Sequence, residues 1–374
     1  MSKSLRICYL TFDSLSEGVG QSQIVPLVKG LAELGYQVTV MSFEKKKNSQ
    51  LRANLLSSNV TWLSFPFGKL GIRGLPSRIA TMVRNLPQAD IYHCRSDLPV
   101  LTMAIRRKRP FVWDVRSLWY EQKVIVDKKS GSKLFAFILR KLERYSARNA
   151  SAVNVLAEPL LEVLLKRNQV LPTIRTVVPT SVDLEKFKQD TLEVSRRMIL
   201  LSGTLNNFYD LESTKKILRE FHNQGFTVEW ARGIESNTDD LDETFISVSM
   251  LVHSEMPEKI ASSSFGIAIC RTDCVEILKG VMPTKVAEFL AVGRPVIVSK
   301  GMGDLDRLIT QWKTGIVIED RMSEKEIVTK AKELLLDEEL SHRCRMLAEE
   351  HFSMQKAILV YSNVYNSIYP KDTV

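Results

Sequence analysis

Cysteine is scarce in this chain, with five in 374 residues. Only Cys270 and Cys274 lie close together, and no His or further Cys beside them completes a metal knuckle, so a disulfide framework and a structural zinc site are both excluded. The cysteines read as buried reduced thiols. No apolar run approaches the roughly 20 residues of a membrane-spanning helix. With a strand-like segment at its start, the chain is expected to carry no leader and to be cytoplasmic. Solenoid repeats and low-complexity runs are absent. No zinc finger, helix-turn-helix or aromatic-interleaved RNA motif appears, so nucleic acid is not an expected partner. No pair of carboxylates stands out at ligand spacing, and neither a metal nor another cofactor is implied.

What is present suits two domains. The hydrophobic share of 44% supplies ample core, and the length exceeds what one core of average size organises. The formal charge of +9 is unevenly spread. Residues 1–182 hold 28 Lys+Arg against 12 Asp+Glu, and residues 183–374 hold 24 against 31. A basic first half suits an anionic partner, either a phosphate-bearing substrate or the acidic face of a cytoplasmic membrane. A solvated surface is the simpler reading of any single basic cluster, such as Arg106–Arg109.

Strand-like and helix-like segments alternate. Leu5–Phe12 and Gln37–Phe43 read as buried strands around a helix over Gln21–Leu34, which makes a β-α-β opening. The loop between carries Gly18 and Gly20 just ahead of Gln21, where free N–H groups can meet a ligand. A Gly- and Pro-rich loop is read over Phe65–Pro76. The strands Ile91–Cys94 and Phe111–Val115 deliver Arg95 and Arg116 at their carboxyl ends, where open α/β sheets bind ligands. Ala152–Leu156 is a further strand. The basic amphipathic stretch Lys128–Arg148 fits either a helix covering the sheet or one lying on an acidic membrane. A Pro-bearing segment around Val177–Phe187 marks the charge shift, and the boundary is placed at Val182. In the second half, strands are read at Met198–Gly203, Thr227–Trp230, Ile246–Val252, Phe265–Cys270 and Pro295–Ser299. His253, with no partner at ligand spacing, reads as a packed histidine. The end, Phe352–Tyr369, reads as a helix.

Lys279–Gly303, KGVMPTKVAEFLAVGRPVIVSKGMG, is the most informative stretch. Pro283 and Thr284 write a helix start with Thr placed to cap free amides. Val286, Phe289 and Leu290 form an apolar stripe, and Gly293 a stop before a buried strand. Lys285 and Glu288, three apart, share one face near the positive helix end.

PTKVAEFLAVGRPVI resembles the donor-site helix of retaining, nucleotide-sugar-dependent glycosyltransferases of family four, which have two Rossmann-like domains (GT-B type). The segment Arg116–Glu121 resembles that family's His/Arg-Asp-x-Trp-x-Glu, with Arg116, Trp119 and Glu121 matching and Ser117 where Asp is usual. The glycines at 18 and 20 lie where the family has its Gly-rich loop. Gly280 stands where a donor-binding Glu is usual, as in a subset reading Pro-Thr/Ser-Lys-x-x-Glu.

The resemblance implies an α/β fold of two doubly wound Rossmann-like domains facing across a cleft. The first would cover residues 1–182, the second 183–352, and a terminal helix in 353–374 would return to the first. It implies that Glu288 holds ribose and that Lys285, with Gly203, Thr204, Arg271, Lys279, Pro283 and Thr284, surrounds the donor. Gly18, Gly20, Gln21, Arg95, Arg116 and Glu121 would line the acceptor side, with Arg116, Lys285 and Glu288 at the reacting centre. Thr204 and Tyr209 occupy the places of a usual Arg and Lys, and Tyr209 could stack on a base or sugar. Trp119 reads as core and Asp114 as a weak candidate base. The implied activity is sugar transfer with retention from a nucleotide diphosphate sugar to a saccharide or lipid-linked saccharide, in surface polysaccharide synthesis, with peripheral association to an acidic membrane. Two alternatives stay open, an epimerase on the same fold and a non-catalytic nucleotide-sugar- or glycan-binding subunit.

Overall fold

The computed structural model describes residues 4–69, 71–122, 133–188, 197–205, 208–233, 244–273, 275–319 and 321–369. Residues 128–132 of the amphipathic stretch, Asn206, Asn207 and Cys274 lie outside them. Two units are present, Met1–Val178 with Met354–Val374, and Pro179–Ser353.

The first unit holds seven parallel strands: β1 Arg6–Leu10, β2 Gln37–Glu44, β3 Val60–Pro66, β4 Ile91–Arg95, β5 Phe111–Val115, β6 Ala152–Val155 and β7 Ile174–Val177. Their order is β3-β2-β1-β4-β5-β6-β7. The second holds six, β8 Met198–Ser202, β9 Thr227–Gly233, β10 Ile246–Leu251, β11 Phe265–Ala268, β12 Val296–Ser299 and β13 Gly315–Ile318, in the order β10-β9-β8-β11-β12-β13. Central strands such as β5 and β8 are buried along their whole length, as parallel strands covered on both faces must be. Both units are thus Rossmann-like, with order reversing beside β1 and beside β8. Ligands of such sheets sit at the carboxyl ends next to that reversal.

Three strands were not legible in the sequence, and all are sheet edges. β7 is half-exposed throughout, and β3 and β13 are mostly so, which leaves little apolar pattern to read. The loop expected from Phe65 therefore starts later, since Phe65 and Pro66 end β3.

The helix expected over 21–34 opens with a wider π turn, Gly20–Ile24, before the regular helix Val25–Glu33. The terminal helix Met354–Ile368 buries Met354, Ala357, Tyr361, Val364 and Tyr365 in the core of the first unit. That spacing turns Leu359 toward solvent. In the second unit, Thr284–Ala291 lies close on β11 because Gly266 has no Cβ; one there would collide with the Phe289 ring.

Candidate functional site

In the second unit the helix Thr284–Ala291 buries seven of its eight residues, Lys285 and Glu288 among them. Its N-cap is Pro283, in extended conformation and without a side-chain cap. Thr284 is thus the first helical residue, and the cap expected of it is not made. Val286 N–H bonds Pro283 O at 3.0 Å, and among the described residues no side chain caps the amides of Thr284 and Lys285 ahead of it.

Lys285 is 9% exposed, and its Nζ has no hydrogen-bond partner among the described residues. The amine lies 4.3 Å from the Tyr209 ring centroid. Burial lowers its pKa from 10.5 to about 8, against the opposing pull of Cys270 and Glu288. Tyr209, read as a stacking surface for a base or sugar, instead supports this amine. Its place is fixed by backbone bonds on both sides, Asp210 N–H to Ile269 O at 2.9 Å and Arg271 N–H to Phe208 O at 2.8 Å. Burial pushes the neighbouring Cys270 thiol up to about 12, so it stays a thiol.

The remaining residues expected on the donor side follow β8 and β11 or precede the donor helix. Gly203, expected to end the strand, follows β8 at φ +73°, a conformation glycine adopts without strain. Its N–H bonds Ala231 O and its carbonyl accepts from Trp230 Nε1 at 3.0 Å. Thr204 is exposed and Lys279 half-buried. Arg271 forms a local fork with Asp273 at 2.5 Å, which occupies the guanidinium expected to meet phosphate. Glu288 Oε1 lies 3.7 Å from His253 Nε2. His253, expected to be merely packed, reaches this helix because the end of β10 returns to it, which no local pattern encodes.

In the first unit the expected acceptor-side residues divide differently. The loop before the π turn is pinned by Glu44, a residue not singled out from the sequence. Its carboxylate accepts from Ser14 Oγ at 2.6 Å, Leu15 N–H at 2.9 Å and Ser42 Oγ at 2.7 Å. Gly18 has φ +44°, and a Cβ on Gly20 would collide with the Ser14 carbonyl. Gln21 is half-exposed beside them. Arg95 is buried and donates Nε–H to Asp13 at 2.9 Å. Ser96 follows at φ 71° and ψ 179°, held by its N–H to Asp114 O at 2.8 Å. Such backbone is costly for a residue with a side chain.

Arg116 and Glu121 face inward rather than toward an open edge. Arg116 donates Nε–H to Asp114 at 2.8 Å and an Nη2 hydrogen to the Tyr361 hydroxyl at 2.7 Å. Asp114 is fully buried and also meets His93 Nε2 at 3.2 Å and Asn154 Nδ2 at 2.5 Å. Burial alone would raise its pKa, yet Arg116, His93 and Arg95 hold it below the ordinary carboxylate range. A carboxylate so firmly ionised is a poor base, which removes Asp114 as a candidate. Burial keeps His93 neutral, so its Nε2–H donates to Asp114 and its Nδ1 accepts from the Tyr365 hydroxyl at 2.8 Å. Glu121 is buried between Arg140 at 2.5 Å and Arg167 at 2.9 Å. Trp119, expected in the core, is half-exposed; Trp113 fills the core instead.

Among the described residues no group of His, Cys, Asp or Glu has the arrangement of a metal site, and no helix is long and apolar enough to cross a membrane.

Residues 20–186 match the family model of Glycosyltransferase Family 4, and residues 266–351 that of Glycosyl transferases group 1. No curated protein sequence matches the chain. Sucrose-phosphate synthase of Thermosynechococcus elongatus superposes with a TM-score of 0.69 at 13% identity, covering 98% of this chain and 99% of that one. A glycosyltransferase of Rickettsia africae gives 0.67 at 12%, covering 98% and 99%. HepE of Anabaena, solved with UDP and glucose, gives 0.69 at 13%, covering 97% and 100%. With one glycosyltransferase model over most of its first unit, a second over the donor-helix region, and two Rossmann-like parallel sheets, the chain is a glycosyltransferase of the GT-B type.

Proposed function

We propose that the protein transfers a sugar, with retained anomeric configuration, from a nucleotide diphosphate sugar to a saccharide or lipid-linked saccharide in the synthesis of a surface polysaccharide. The observation that carries the donor side is Lys285, a buried amine without a hydrogen-bond partner among the described residues, set one helical turn from Glu288. Leaving such a group unpaired costs stability unless a ligand completes it. A diphosphate is the fitting ligand. Glu288 would take ribose hydroxyls, and Lys285 with Lys279, Gly203, Thr204 and the open amides at Thr284 would meet the phosphates.

The chemistry follows from charge. As the bond from the anomeric carbon to the phosphate oxygen breaks, negative charge grows on the leaving phosphate, and a pre-placed cation stabilises it more in the transition state than before. The acceptor hydroxyl adds on the same face and passes its proton to that phosphate. No metal or other cofactor takes part in this reading, and turnover should survive a chelator.

For the acceptor side we add association with an acidic membrane surface. On the helix Lys133–Asn149, Phe137 and Ile138 are 55% and 44% exposed beside the outward Lys141, Arg144 and Arg148, a pattern suited to anionic headgroups. Vesicles with anionic lipid should retain the protein at low salt, and failure to do so removes this part.

The donor side is tested by thermal unfolding against uridine, guanosine, adenosine and cytidine diphosphates and their sugar conjugates. One series should raise the midpoint by several degrees at about a hundred times its dissociation constant, and Glu288→Ala should abolish the rise. If no nucleotide stabilises the folded protein, the reading fails. Product analysis then separates transfer from epimerised donor or unchanged ligand.

A further inference from the structure

His253 and Glu288 belong to different elements but to one frame. His253 opens the short turn after β10, and Glu288 is in the middle of the donor helix. The His253 ring meets Phe187 edge-on, with centroids 5.9 Å apart. Arg345 Nη1 bonds both Phe187 O, at 2.7 Å, and Ala291 O at the end of the donor helix, at 2.8 Å. One guanidinium therefore fixes the support of His253 and the helix carrying Glu288.

The two functional atoms are nevertheless unsatisfied by each other. His253 Nε2 is buried and has no hydrogen-bond partner among the described residues. Glu288 Oε1, at 3.7 Å, is beyond hydrogen-bond reach. An ionised carboxylate only accepts, so the neighbouring imidazole nitrogen is best used as a donor. A hydroxyl satisfies both at once, because its oxygen accepts from Nε2–H while its proton goes to Oε1. Neither a methylene nor a phosphate oxygen does this.

We propose that His253 is a ribose-binding residue of the donor site, acting with Glu288 on a single sugar hydroxyl. The inference rests on the reading of Glu288 as the ribose acceptor. It makes discrimination of ribose from deoxyribose a property of two residues, one on each side of the hydroxyl.

The test measures affinity by calorimetry for UDP, 2′-deoxy-UDP and 3′-deoxy-UDP, with the guanosine set used if that base binds. In the native protein one deoxy compound should bind about tenfold or more weakly than UDP. His253→Leu should remove most of that ratio by weakening UDP while leaving the deoxy compound nearly unchanged. His253→Gln, which keeps an N–H near the same place, should restore much of it. Equal weakening of UDP and both deoxy compounds by His253→Leu would assign the residue to packing and overturn the proposal, as would an unchanged ratio. If no nucleotide binds the native protein, the donor-site reading itself falls, an outcome distinct from either.

Discussion

Each unit gathers the same four kinds of side chain at one place: a cation, a carboxylate, a histidine and a tyrosine. In the first unit these are Arg116, Asp114, His93 and Tyr361, joined by hydrogen bonds of 2.7 to 3.2 Å. In the second they are Lys285, Glu288, His253 and Tyr209, where among the described residues the cation meets a ring face and no hydrogen-bond acceptor, and the histidine stands 3.7 Å from the carboxylate. Composition does not separate the two clusters. Completion does. A satisfied buried network fixes architecture, here by tying the terminal helix to β4, β5 and β6, whereas a network with open valences is completed by a ligand.

The carboxylates give the largest contrast. Asp114→Ala leaves Arg116 and His93 buried without their acceptor, and unfolding in urea should show a loss of roughly 3–5 kcal/mol. Glu288→Ala leaves no comparable orphan, because its carboxylate makes no hydrogen bond among the described residues, so its loss should stay within about 1 kcal/mol while nucleotide binding disappears. The pH dependence has a definite sign. Asp114 is depressed in the folded state, so its contribution is fully present above the unfolded carboxylate value of about 4 and fades as pH falls below it. The stability gap between native protein and Asp114→Asn should narrow in that acid range. Equal destabilisation by Asp114→Ala and Glu288→Ala would erase the distinction.

Lys285 sharpens it further. Because its folded pKa is lowered to about 8 from 10.5, the protonated amine opposes folding below that range. Its contribution to stability rises between about pH 8 and 10.5, where only the unfolded chain still holds the proton. Lys285→Met keeps the stem and removes the charge, so at neutral pH it should unfold up to about 3 kcal/mol harder while binding UDP roughly 10- to 100-fold more weakly. A variant that is both less stable and unchanged in affinity would show that the amine belongs to the architecture.

The sequence revealed one side of this comparison better than the other. The donor helix could be read because Pro283, Lys285, Glu288 and Gly293 fall within a short stretch, and local spacing puts them on one element. The central strands were legible for the same reason, being continuous apolar runs. Arg116 was singled out, but its inward direction depends on Tyr361, 245 residues away, and no local pattern encodes that. Glu44 was missed because its partners lie 28 to 30 residues back in a loop. His253 has no partner at local spacing, since only the folding of the chain after β10 beside the donor helix brings it to Glu288.

Tyr209 offers the finest test of what holds the unpartnered cation. A ring face stabilises an ammonium by about 0.5–2 kcal/mol, more when desolvated. It does so only for the protonated form, so Tyr209→Leu should lower the Lys285 pKa further below its present value. Binding of a diphosphate takes up a proton wherever the free amine is neutral. UDP affinity should therefore be flat below about pH 8 and then fall by up to tenfold per pH unit. In Tyr209→Leu that fall should begin roughly half to one pH unit earlier, and in Tyr209→Phe, which keeps the ring, it should stay in place. Calorimetry in two buffers of different ionisation enthalpy reads the proton uptake directly. Identical profiles for the Leu and Phe variants would mean that the ring merely fills space, and that the amine awaits its phosphate without help from the tyrosine beneath it.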